Sequence, residues 1–244
     1  MSIFIWNSEI KNAYIWTTPV KEIFVGTTKV RPAGWKPWAN TIAYYPLTAN
    51  ANDESWNGNN GTANWVSFST YDWVDCAYFD WSVYTKIQLP WLWSFSEITM
   101  VIRAKTTYSL PSVSCLFMLA PSTDNKNMAI QWNNSKFILS RWNWSSAYDI
   151  NDWTANDWIW HCVVATKDSS AAKLYVDGTL IWQDTRSSSV QSDSWHSAIW
   201  WHATSTNAQF IYKWYLSNSI IENKARTADE ISDYYNQTKS NYWL

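Results

Sequence analysis

The residues best suited to chemistry in this chain cluster at Tyr148, Asp149, Asn151, Asp152 and Trp153, where aromatic rings alternate with amides and carboxylates. An aromatic face stacks on the apolar face of a sugar ring, and a neighbouring Asp or Asn hydrogen-bonds its hydroxyls, so this mixture suits a carbohydrate. Tyr108, in a separate loop, is a second candidate. For any one of these residues, covering the edge of a β structure is the plainer role. It is the cluster as a group that points to a ligand.

Other chemistries find less support. A glycosidase needs two carboxyl groups flanking the scissile bond, one of them an acid. Glu9, Glu22, Glu54, Glu97, Glu222 and Glu230 are scattered, and none opens a Glu-x-Asp pattern. Asp53, Asp72, Asp152, Asp157 and Asp177 sit in turn contexts, where solvated carboxylates are usual. No catalytic residue is assigned and a non-enzymatic protein is expected. His161, His196 and His202 lack the spacing to Cys or carboxylate that a zinc site needs. The Asp53, Asn57 and Asn59 loop has the oxygens to hold calcium, but an Asx-stabilised turn accounts for it better. Neither metal nor cofactor is expected.

These residues need a frame, and the frame reads as β. Short runs such as Ile98–Ala104, Ser114–Leu119, Phe137–Ser140 and His161–Thr166 are separated by turn clusters. Lys173–Val176, Asp177-Gly178 and Thr179–Ile181 predict a hairpin with a type I′ turn. One helix is predicted over Thr227–Gln237, opened by a capping box of Thr227 and Glu230. Cys76, Cys115 and Cys162, odd in number and inside strands, are expected as buried free thiols. Three parts are expected: residues 1–33, a linker at 34–40, and an antiparallel two-sheet domain over 41–244. The first is a ten-residue repeat: Phe4-Ile5-Trp6-Asn7, Tyr14-Ile15-Trp16-Thr17 and Phe24-Val25-Gly26-Thr27. Each unit reads as a strand of about seven residues and a turn, too short to be stable alone. Pairing with another chain or another copy is therefore expected, which implies a homo-oligomer or an attachment contact. The formal charge of −2, with no basic run, gives no nucleic-acid footprint. Residues 1–10 do not read as a signal peptide, and no stretch is long and apolar enough for membrane insertion.

Composition adds an anomaly. The 244 residues hold 22 tryptophans and 5 glycines, against an average glycine content of about 7%. The third repeat has Gly26 where the others have Trp16 and Trp6, and Trp56, Trp73, Trp81 and Trp144 follow Ser, Asp or Asn as turn glycines do. The expectation is a gene in which UGA encodes glycine, its product written here with tryptophan. Trp6, Trp16, Trp56, Trp81, Trp201 and Trp214 are then expected at positive φ, in solvent or in steric conflict, whereas Trp160 is expected as a true tryptophan.

With these elements placed, residues 43–237 resemble the laminin-G-like, concanavalin-A-like jelly-roll domains. The resemblance runs through Tyr45-Pro46-Leu47 and Asn52–Gly58, then Ala77–Ser82, Phe95–Met100, Trp160–Thr166, Lys173–Gly178, Trp214-Tyr215-Leu216 and Ala225–Ile231. It implies an all-β, antiparallel two-sheet jelly-roll sandwich with one short C-terminal helix, a fold that serves lectins, hydrolases and structural modules. Lys21–Pro32 resembles the opening segment of phage virion proteins, particularly tail-associated ones. That implies a virion location, or an extracellular one after lysis, with residues 1–33 contacting other virion proteins or copies of the chain. A host-surface glycan is the expected ligand of the domain. A purely structural decoration protein and a glycoside hydrolase or other cell-surface enzyme are the alternatives.

Overall fold

The structure, a computed structural model, describes residues 14–15, 18–19, 23–25, 28–30, 38–79, 85–106, 114–120, 127–133, 136–140, 158–185, 190–191, 197–201 and 214–242. Two small hairpins come first. Strand β1 (Tyr14–Ile15) pairs with β2 (Thr18–Pro19), and β3 (Ile23–Val25) with β4 (Thr28–Val30). The second and third repeat units thus each hold two short paired strands, which corrects the expectation of one continuous strand for these units. Val25 pairs with Thr28, so Gly26 and Thr27 alone make the connection.

The sandwich follows with β5 (Thr41–Tyr45), β6 (Thr62–Asn64), β7 (Ser67–Tyr71), β8 (Val74–Phe79), β9 (Lys86–Gln88), β10 (Ser94–Phe95) and β11 (Ile98–Thr106). It continues with β12 (Ser114–Leu119), β13 (Met128–Asn133), β14 (Lys136–Ser140), β15 (His161–Lys167) and β16 (Ala172–Val176). The last strands are β17 (Thr179–Asp184), β18 (Val190–Gln191), β19 (Ala198–Trp201) and β20 (Trp214–Glu222). One sheet has eight strands, in the order β17-β16-β15-β11-β20-β8-β7, with β5 also on β20. The other has six, in the order β14-β13-β12-β19-β9-β6. All pairings in both sheets are antiparallel. The molecule is an all-β, two-sheet sandwich of the jelly-roll class.

Alternation of side chains decides which residues meet between the sheets. From β11, Ile98, Met100, Ile102 and Ala104 point into the same core as Val163, Leu174, Leu216, Leu116, Ile130, Trp132 and Leu139. The intervening Val101 and its neighbours Cys162, Val164 and Ile220 face the opposite way, under helix α1 (Ala228–Thr238). Buried on both faces, β11 and β15 carry no exposed residue. Their lack of a polar face follows from this double cover.

The helix starts as its sequence dictates. Thr227 caps it, accepting from the Glu230 N–H at 3.2 Å, while Glu230 Oε2 accepts from the Thr227 N–H at 2.9 Å. Ile231 is its buried residue, and Tyr234 and Tyr235 flank it. A 3-10 turn, Lys239–Tyr242, carries Tyr242 onto Trp160, ring centroids 5.5 Å apart. Gly178 lies beneath the helix with φ +79°, and a Cβ there would meet Tyr235 at 3.3 Å. With Asp177 at φ 50°, the two residues form the left-handed pair that a type I′ turn requires.

The tryptophans divide. Trp56 has φ 68°, as expected, and points into solvent. Trp214 overturns the expectation. It lies in β20, fully buried and edge-on to Trp132 at 5.1 Å, because its strand position faces the space between the sheets. Trp201 is in β19, paired with Cys115, which is a strand position and not a turn. Trp6, Trp16 and Trp81 lie outside the described residues. Trp160 is buried and packed, as a structural tryptophan should be. Cys76, Cys115 and Cys162 are free and buried.

Candidate functional site

The sequence-selected residues Tyr148, Asp149, Asn151, Asp152 and Trp153 lie outside the described residues, between Ser140 at the end of β14 and Trp160 ahead of β15. This connection takes the chain from the six-stranded to the eight-stranded sheet. Both its anchors are buried. Tyr108 also lies outside the described residues, between β11 and β12, another connection between the two sheets.

The Asp53 loop is described in full, and its oxygens are committed. Asp53 Oδ1 accepts from the Tyr44 N–H at 2.9 Å and the Ser55 N–H at 2.8 Å, and Oδ2 accepts from the Asn59 N–H at 3.0 Å. The Asn57 side chain donates to the Thr41 and Ile42 carbonyls, and Asn59 donates to Ile42. Tyr45 ties the loop down by donating to the Asn59 carbonyl at 2.6 Å. The loop is an Asx-stabilised turn that pins β5. A carboxylate used by three backbone donors has little left for a cation. Among the described residues, no group of three or more His, Cys, Asp or Glu converges as metal ligands would.

Polar chemistry concentrates instead around β15 and β11 of the eight-stranded sheet. His161 Nδ1 lies 2.7 Å from Asp177 Oδ2, and the other oxygen of Asp177 accepts from the Cys162 N–H at 2.9 Å. Sequence reading found no carboxylate at ligand spacing from His161. Its carboxylate partner lies 16 residues away, across a hairpin, and spacing alone could not show it. The Cys162 side chain points to the other face of β15, towards Val101 and Ile231, and burial pushes its thiol up to about 11. It remains a thiol at neutral pH. Arg103, fully buried, donates to Thr238 Oγ1 and sits over the Tyr242 ring at 4.6 Å and the Tyr235 ring at 5.6 Å. These contacts fasten the C-terminal segment to the sheet.

A second polar group closes the opposite end of the helix. Arg226 donates twice to Glu222, at 2.7 Å each, and once to Glu230 at 2.7 Å. Its guanidinium lies 4.7 Å above the Trp38 ring, which also meets Tyr234 at 4.7 Å. Glu222 and Glu230 each lie four residues from Arg226, but Glu222 ends β20 and Arg226 precedes the helix cap, so only their nearness in the chain was visible in the sequence. Two carboxylates held by one arginine are not poised as acid and base. On the rim, Trp91 and Trp93 stack with centroids 5.2 Å apart and are exposed. No helix among the described residues is long and apolar enough to cross a membrane.

Comparison with known proteins places the fold. No protein-family profile matches the chain, and no curated protein does. Solved structures do. The binding domain of Paraclostridial Mosquitocidal Protein 1 superposes with a TM-score of 0.65 at 15% identity, over 81% of this chain and 52% of that one. Domain 4 of AbnA, a GH43 extracellular arabinanase from Geobacillus stearothermophilus solved with arabinotriose, gives 0.64 at 16% identity, over 80% and 98%. The botulinum neurotoxin serotype G binding domain gives 0.64 at 13% identity, over 82% and 52%. This chain therefore spans about half the length of the two toxin binding domains and nearly all of the arabinanase domain. At these identities the likeness is one of fold.

Proposed function

We propose that this chain is a non-enzymatic phage virion protein, tail- or fibre-associated, whose sandwich binds a glycan on the host surface. The observation that supports this most is the superposition on a complete sugar-complexed domain, the fourth domain of the arabinanase. The binding domains of the two toxins share the same frame. Tyr148, Asp149, Asn151, Asp152 and Trp153, with Tyr108, are the proposed sugar contacts. Residues 1–33 are the proposed attachment or oligomerisation segment, since hairpins with strands of two or three residues leave edges open to a partner. The resemblance of Lys21–Pro32 to virion proteins supports the particle context.

A recoded gene belongs to the same reading. A glycine-reading UGA codon accounts for the Trp and Gly counts together, and the left-handed backbone at several tryptophans favours it.

The test uses whole chains and host cells. The protein should be retained on host cells or their isolated envelopes, and a Tyr148→Ala, Asp152→Ala, Trp153→Ala variant of unchanged melting temperature should lose at least tenfold in retention. Equal retention of that variant would favour the decoration-protein alternative. Release of reducing ends from the envelope polysaccharide would favour the enzyme.

A further inference from the structure

Five exposed tryptophans share a backbone that tryptophan does not choose. Trp56, Trp65, Trp73, Trp93 and Trp158 have φ of 68, 55, 64, 71 and 67°. All are at least 58% exposed, Trp65 and Trp73 reaching 81% and 85%. Left-handed backbone crowds a Cβ against the next carbonyl, and glycine alone escapes that. Exposed indoles return little packing against that strain.

Two hairpins make the comparison internal. In β16–β17, Val176 pairs with Thr179 around Asp177-Gly178, at φ 50° and 79°. In β7–β8, Tyr71 pairs with Val74 around Asp72-Trp73, at φ 48° and 64°. Both are two-residue loops opening with Asp and with both residues left-handed, and a type I′ turn prefers glycine second. Trp73 stands where Gly178 stands. In the N-terminal sequence repeat, Trp16 occupies the position that Gly26 holds in the next unit.

Other tryptophans show the reverse. Trp38 lies between Arg226 and Tyr234, and Trp160 is buried against Tyr242, neither with a positive φ. Their rings fill contacts that glycine would leave open.

We infer that the organism's own protein carries glycine at positions 16, 56, 65, 73, 93 and 158 and tryptophan at positions 38 and 160. This rests on the recoded-gene part of the function above, not on its glycan part. It also removes the stacked pair of Trp91 and Trp93 as a ligand platform, because one of its two rings is absent. Aromatic stacking on a sugar then falls to the proposed contacts Tyr108, Tyr148 and Trp153.

The experiment inverts the usual sign of a large-to-small substitution. The chain as written is compared with one carrying Trp56→Gly, Trp65→Gly, Trp73→Gly, Trp93→Gly and Trp158→Gly. Relief of left-handed strain at one site should move the melting midpoint of a domain this size up by about 2–4 °C. The five together should raise the melting temperature by roughly 10 °C or more. Single Trp38→Gly and Trp160→Gly changes should lower it. A five-site variant melting at or below the parent overturns the inference. If the chain as written does not fold, peptide masses from the organism's own protein decide: glycine at 56 and 73 with tryptophan at 38 and 160 upholds it, and tryptophan at 56 and 73 overturns it. Glycan binding enters neither readout, so the two proposals fail separately.

Discussion

Cys76 and Cys115 are pushed up to about 12 and Cys162 to about 11, in each case chiefly by burial. Thiolate is the reactive form. A thiol reagent at pH 8 should therefore label none of the three in the folded chain and all three after denaturation, read by mass. Labelling of native protein on the folding timescale would contradict the packing described here. Arg103 makes a different prediction. Its Nε and Nη1 have no hydrogen-bond partner among the described residues, where its side chain contributes stacking on Tyr242 and Tyr235 and the bond to Thr238. Arg103→Ala opens a cavity and removes the stacking, at a cost of about 2–4 kcal/mol in urea unfolding. Arg103→Met, which keeps the volume and removes a buried charge, should cost much less. None of the Arg103 contacts was legible in the sequence. Tyr235, Thr238 and Tyr242 are more than 130 residues away, and a lone arginine in an apolar strand carries no spacing signal.

The helix and its cap were legible, since Thr227 and Glu230 need only three residues of separation to recognise each other. The network around Arg226 was partly so, and it sets the acid behaviour of this element. Partial burial pushes the Glu230 carboxyl up, but hydrogen bonds from Lys224, the Thr227 N–H and Arg226 outweigh it and hold it down at about 2. A depressed carboxyl contributes stability that is complete above its ordinary value of 4.5 and is lost as the pH falls through about 2. Burial pushes Glu222 the other way, against the pull of Arg226, so it protonates earlier on the same descent. Urea midpoints measured between pH 5 and 2 should therefore fall for the parent. They should fall less for Glu230→Gln, which starts lower and has no carboxylate to lose. Parallel curves would show that Glu230 does not carry the acid limb. The N-terminal repeats teach the opposite lesson about legibility. Their period was plain, but period does not say where a unit folds, and Ile23–Val25 pairing with Thr28–Val30 halves the expected strand.

At the scale of the whole molecule, strand grammar and ordered resemblance were enough to foresee two antiparallel sheets and one closing helix. Pairing order and the double burial of β11 and β15 were not foreseeable, because they depend on strands more than 50 residues apart coming together. Trp214 shows the limit most sharply. It was expected as a recoded glycine at positive φ, whereas its position in β20 puts it between the sheets. The proposed sugar contacts lie in connections that the two sheets anchor at both ends, an arrangement in which rigid β layers hold recognition loops. The measurement that tests the glycan-binding account most directly is titration of the full chain with oligosaccharides from the host envelope, by calorimetry. The account predicts saturable binding that free sugar competes away, with no new reducing ends, and its loss in the Tyr148, Asp152 and Trp153 triple variant. A folded chain that takes up no envelope glycan at millimolar concentration would contradict it.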